Sequence, residues 1–219
     1  MRLLDFESDN PEMQKTIERL KAPGSQDTYL ELGGFIFQTI RQLVFEGVDP
    51  TRLYGTDLHA EFIELGYDQF RDRETLEATF VTGDLLLPDE EYAASEMVRT
   101  FEGKMSIVHA SSFFHLFSWE SQLIIGERIV RFFRRGLSAD NPAVLFGAHM
   151  GSDNPGEIEA FKMFLHDRST FQALWDEIGR RTDTRWEVSM EVMALDPPKY
   201  KTFMKDARMM RYIVKQVVN

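Results

Sequence analysis

The sequence predicts an α/β fold: a mostly parallel sheet, helices on both of its faces, and a last strand that runs the other way. Two patterns predict it. Short β-rich runs alternate with amphipathic, helix-length segments through the fifth strand, an arrangement that calls for right-handed crossovers between parallel strands. The chain then ends on two long β-rich runs joined only by the loop DPPKYKTFMKDA, with no crossover helix, which suits an antiparallel pair.

In chain order, strands are expected at Thr28 to Leu32, Arg52 to Thr56, Thr79 to Gly83, Lys104 to Ala110, Ala143 to Ala148, Thr184 to Ala194 and Arg208 to Val218. Helices are expected between the first five, at Phe37 to Glu46, Ala60 to Arg71, Glu90 to Phe101 and Trp119 to Arg134, with a further one at Ser169 to Arg180. Residues 1–27 read as a short N-terminal helical segment, and the 219 residues as one domain, 1–219, with 43% hydrophobic content to build its core.

Composition removes several function classes. No run approaches 18 apolar residues and MRLLDFESDNPEM turns acidic early, so neither a membrane span nor a signal peptide is expected and the protein reads as cytoplasmic. Cysteine is absent, which excludes disulfides, thiol nucleophiles and thiolate metal sites. A net charge of −11 disfavours nucleic acid, whose binding depends on Lys and Arg releasing counterions; the basic run from Arg128 to Arg135 reads as a solvated helix face. No His or carboxylate pair recurs at metal-ligand spacing such as His-Glu-x-x-His, so a metal centre is not expected, and there is no Gly-x-Ser-x-Gly elbow and no phosphate loop ending in Gly-Lys-Ser or Gly-Lys-Thr.

Ligands of such sheets sit at the carboxyl ends of the strands, where strand order reverses. Three acids stand there: Glu31 closing strand one, Asp57 in YGTD, and Asp84 in FVTGD. Asp57 lies 24 residues beyond Gly33, near the spacing at which a carboxylate receives a ribose hydroxyl. Each acid also suits a plain turn or helix cap.

The phrases LELGG, LYGTD, FVTGD and KMSIVHASSFFHLFSW, in that order, resemble the class I S-adenosylmethionine-dependent methyltransferases. More closely, YGTDLHAEFIELGYDQFRDRETL, SSFFHLFSWESQ and FLHDRSTFQALWDEIGRRTDTRWEV resemble fungal methyltransferases of meroterpenoid and related secondary-metabolite pathways. The resemblance covers roughly Tyr29 to Val192. It implies a three-layer Rossmann-like fold with a seven-stranded sheet. It also implies Glu31 near the methionine end of the cofactor, Asp57 on the ribose and Asp84 near the adenine, with Gly33 and Leu85 completing the set.

Two departures stand against that pattern. Acid-x-Gly-x-Gly-x-Gly runs here as Glu31, Leu32, Gly33, Gly34, Phe35, Ile36, Phe37, so only the first patterned glycine remains. Glycine serves such turns through unusual dihedrals and close backbone approach. A Phe at position 37 is expected to intrude on the cofactor's methionine portion, unless Phe35 and Phe37 simply pack the helix onto the sheet. The second departure is a first strand preceded by only 27 residues, where the fungal group has a longer helical cover.

The loop HASSFFHLFSW after strand four brings His109, Ser111, Ser112, Phe114, His115 and Trp119 to the switch-point crevice, and FGAHMGSDNPGE after strand five brings His149 and Met150 to the same edge, on a lid or a long surface turn. His109, His115 and His149 are the candidate catalytic groups. Phe35, Phe37, Ser111, Ser112, Phe114, Trp119 and Met150 are the candidate pocket lining. The resulting expectation is a natural-product enzyme that has lost methyl transfer and, without a cofactor, preorganises a hydrophobic terpenoid or polyketide for intramolecular cyclisation of the pericyclic, Diels-Alder type. The alternative is an active S-adenosylmethionine-dependent O-methyltransferase, and a third is a non-catalytic scaffold. Expected partners are a hydrophobic small molecule and, at most, a second copy of the chain in a homodimer.

Overall fold

A computed structural model describes residues 10–193 and 206–218. Seven strands form a mostly parallel sheet with a reversed last strand, and a separate two-stranded hairpin accompanies them. The chain divides into two compact units, Met1–His109 with Arg131–Gly136, and Ala110–Val130 with Leu137–Asn219.

The first unit opens on helix α1 (Pro11–Lys21), capped by the Asn10 side chain, which accepts the Glu12 amide at 3.0 Å. It continues through β1 (Tyr29–Leu32), α2 (Gln38–Phe45), β2 (Leu53–Asp57), α3 (Ala60–Phe70), β3 (Thr79–Thr82), α4 (Asp89–Ala93), α5 (Glu96–Phe101) and β4 (Ile107–His109). The four strands are parallel in the order β3-β2-β1-β4, so the order reverses at β1, between β2 and β4. In this register Glu31 stands beside Gly55 on one side and His109 on the other.

Two expectations change here. The helix expected at Glu90 to Phe101 is two helices, because Ser95 caps the second by accepting the Val98 amide at 3.3 Å. Strand four is shorter than expected: the Lys104 and Met105 amides turn away to the Phe132 carbonyl, at 3.0 and 2.8 Å, and regular pairing begins at Ile107.

The second unit holds most of helix α6 (Trp119–Phe132), then β5 (Val144–Ser152), β6 (Gly156–Ile158), β7 (Met163–Leu165), α7 (Arg168–Thr182), β8 (Trp186–Met193) and β9 (Ala207–Gln216). Strand β9 lies between β5 and β8 and is antiparallel to both. It pairs with β5 over nine residues, which carries β5 beyond the expected end at Ala148 to Ser152. The stretch expected as a lid or surface turn is in part the β6–β7 hairpin, registered Gly156 to Leu165. The loop expected between the last two strands lies almost wholly outside the described residues, as does Ala194. The unit's core is aromatic: Phe114, Phe146, Phe171, Trp175 and Tyr212 are fully buried, and Trp175 packs on Trp186 of β8 with ring centroids 5.3 Å apart.

Candidate functional site

In the first unit the acids lie at strand ends. Glu31 is buried beside His109, whose Nδ1 is 3.8 Å from its Oε1, and the His109 ring stacks over Tyr29. Asp57, 9% exposed at the end of β2, accepts the Phe35 amide on Oδ2 at 3.2 Å and the His59 amide on Oδ1 at 3.1 Å. Asp84, beyond β3, accepts the Leu86 amide at 2.7 Å, while Leu85 is buried. The Asp84 bond is the local turn that acids of this kind form. Asp57 differs, because its bond to Phe35 ties the end of β2 to the turn that follows β1.

That turn keeps a glycine-like backbone without the glycines. Gly33, Phe35 and Phe37 all have positive φ, at 63°, 53° and 51°, and these are the three positions of the patterned glycines. A left-handed non-glycine residue costs about 1–2 kcal/mol. For Phe37, burial offsets this cost. Its ring is 1% exposed, packs on Phe80 with centroids 4.7 Å apart, and fills the space left by Gly34 and Gly55, where an added Cβ would meet it at 2.5 and 2.6 Å. The ring therefore belongs to the core. Phe35 stays 46% exposed and edge-on to Phe62.

In the second unit, Ser111 accepts the Ala148 amide at 3.3 Å, exposed Ser112 is left-handed and donates its amide to the Ala148 carbonyl, and Phe114 is core, packed on Phe171, Trp175 and Tyr212. Met150 is half-buried on β5. His149, 1% exposed, lies against Tyr212 and Phe171, and neither ring nitrogen has a partner among the described residues. Burial holds its imidazole well below the ordinary histidine range, with His166 and His115 adding to the effect. Burial alone brings His115 down to about 4. His166 also falls, to about 3, because burial outweighs the opposing pull of Asp167.

His166 and Gln122 escaped the sequence reading. The Gln122 amide donates to the Phe117 and Phe164 carbonyls at 3.0 and 3.2 Å, so its Oε1 faces His166 Nε2 at 2.9 Å and that nitrogen carries the proton. Nδ1 is then an acceptor, 3.1 Å from the Thr170 hydroxyl. The Trp119 ring lies 5.7 Å from that of His166, tilted against it. The available signal was Asp167-x-x-Thr170, the capping box that starts α7 beside His166. Among the described residues no cluster of three His, Asp or Glu side chains is arranged to hold a metal.

The chain has the class I S-adenosylmethionine-dependent methyltransferase fold, and its sequence relatives are fungal methyltransferases. It is 36% identical to O-methyltransferase phiE of a fungal species (strain ATCC 74256) over 167 residues, which cover 74% of the chain and 53% of that protein. To methyltransferase ausD of Aspergillus calidoustus it is 32% identical over 193 residues, covering 84% of the chain and 63% of the relative. The chain thus spans between half and two thirds of the length of these curated relatives. No protein-family model matches it. Among solved structures it is similar to the [4+2]-cyclase SpnF (TM-score 0.65, 9% identity, 95% of this chain and 82% of that one). It is also similar to Haemonchus contortus phosphoethanolamine N-methyltransferase 2 in complex with S-adenosyl-L-methionine (TM-score 0.58, 13% identity, 94% of this chain and 53% of that one).

These relatives overturn the expectation of cofactor-free cyclisation. The sequence-similar proteins carry methyltransferase names, and the likeness to the cyclase, at 9% identity, shows the fold alone. The physical premise of that expectation also changes, since the glycine-replacing Phe37 is spent on the core.

Proposed function

We propose that the chain is an S-adenosylmethionine-dependent O-methyltransferase acting on a hydrophobic small molecule of the terpenoid or polyketide class. The carrying observation is the 36% identity to O-methyltransferase phiE. The first unit supports the reading, because its groups fit the cofactor chemically. Acids at the ends of β1 and β2 and beyond β3 suit a ligand with ribose hydroxyls and a cationic sulfur, and the turn from Gly33 to Phe37 keeps the left-handed backbone of a glycine turn.

Bound S-adenosylmethionine would supply an electrophilic methyl group. In this reading Asp57 receives the ribose hydroxyls, Glu31 serves the methionine end and Asp84 the adenine side. Within the second unit, burial brings His115 down to about 4, so its imidazole is unprotonated at neutral pH and able to accept a hydrogen bond. A methyl acceptor that is a carboxyl group is already ionised at neutral pH and needs no base from the protein.

Calorimetric titration with S-adenosylhomocysteine tests the reading. Binding with a Kd in the range of about 1 µM to 1 mM supports it. An absence of binding by the folded chain, with no methyl transfer to terpenoid or polyketide acids followed by mass spectrometry, sinks it.

A further inference from the structure

Phenylalanine does not favour left-handed backbone, so the turn at Phe35 and Phe37 needs support from outside itself. Arg41, one turn into α2, provides it. Its Nη1 donates to the Ile36 carbonyl at 2.6 Å and to the Phe37 carbonyl at 3.2 Å. Its other edge forms a fork with Asp72, Nε to Oδ2 at 2.6 Å and Nη2 to Oδ1 at 2.9 Å. The guanidinium lies 4.5 Å over the Phe70 ring, and the two charged side chains are only 10% and 19% exposed. This leaves the planar group a single orientation, with its remaining donors on the turn. Gly66 of α3 makes room, since a Cβ there would come within 2.8 Å of the Ile36 carbonyl and 3.3 Å of Arg41 Nη1.

We propose that Arg41, locked by Asp72, is the positioning residue that holds this glycine-poor turn in its cofactor-binding shape, standing in for the two missing glycines; the inference rests on the cofactor reading above. The turn in turn delivers the Phe35 amide to Asp57, so the clamp also fixes the carboxylate assigned to the ribose. Lysine cannot replace it, because an ammonium cannot reach two carbonyls while forking a carboxylate.

The test compares wild type, Arg41→Lys, Asp72→Asn and Arg41→Lys/Phe35→Gly by two readouts: S-adenosylhomocysteine affinity, and hydrogen exchange at the Phe35 and Phe37 amides in the ligand-free protein. Exchange should quicken in both single variants while the rest of the first unit stays protected, and affinity should fall roughly 10- to 100-fold. Phe35→Gly, which removes one left-handed penalty at a half-exposed site, should recover part of both losses, and unchanged protection in the rest of the first unit tells this local repair from a general gain in stability. Unchanged exchange at these amides in folded Arg41→Lys and Asp72→Asn overturns the clamp. If the wild type binds no S-adenosylhomocysteine yet exchange still quickens in the variants, the clamp stands and the cofactor reading fails.

Discussion

Phe37 packs against Phe80 of β3, ring centroids 4.7 Å apart, from a left-handed position that opens α2. One side chain thereby fixes the helix start to the sheet and fills the hollow above Gly34 and Gly55. Its truncation is a core deletion. Phe37→Ala should cost about 3–5 kcal/mol in urea unfolding. Phe37→Gly should lose slightly less, through relief of its backbone, and should gain no cofactor affinity. A midpoint unchanged by either substitution would put the ring outside the core.

Much of this arrangement was legible before the structure, and the reasons for the rest are specific. Strand and helix periods located the seven strands of the main sheet. The early end of strand four was hidden because it depends on the Phe132 carbonyl, more than twenty residues away, capturing the Lys104 and Met105 amides. The β6–β7 hairpin has three residues per strand, too few for alternation to register. The direction of Phe37 follows from a dihedral that no propensity assigns to phenylalanine. His166 went unnoticed because its partner Gln122 is 44 residues distant in the chain, whereas the cap at Asp167 could have been read locally.

Asp57 joins two amides, those of Phe35 and His59, and in the proposed function also receives the ribose. Asp57→Ala should weaken S-adenosylhomocysteine binding by about 10-fold or more, since hydrogen bonds to a charged group are each worth about 1.5–3 kcal/mol. Asp57→Asn keeps one acceptor oxygen and should fall between. Calorimetry on the three proteins decides it, and equal affinities would remove Asp57 from the site.

The Ala110 carbonyl, at the start of the second unit, is crowded and satisfied at once. Tyr212 donates its hydroxyl to it at 2.5 Å, and a Cβ at Gly147 would sit 2.4 Å from it. Tyr212→Phe leaves a buried acceptor without that donor and should cost about 1–3 kcal/mol. Gly147→Ala drives a methyl into backbone and should cost about as much through overpacking. Thermal melts should show both losses, and a Gly147→Ala protein as stable as wild type would mean the carbonyl can move aside.

The buried imidazoles make stability depend on acidity. His115 and His166 titrate near 4 and 3 in the folded chain, against about 6.5 unfolded, and His149 is lowered in the same direction. Between those values the unfolded chain binds more protons than the native one, so unfolding free energy rises with pH there. The contribution is complete above about pH 6.5 and is lost as pH falls towards 4. Urea midpoints should therefore be level from about pH 8 to 7 and decline below 6.5. Carboxylates paired in the fold add to the decline at lower pH, so the comparison that isolates the histidines is His149→Phe. That substitution removes a buried polar ring whose nitrogens have no partner among the described residues and leaves an apolar ring among Tyr212 and Phe171. The variant should match or exceed wild type at neutral pH and lose less between pH 6.5 and 5, because one fewer group must be kept unprotonated. Parallel pH profiles for the two proteins would show that the protonated His149 ring finds a hydrogen-bond acceptor or solvent in the folded state.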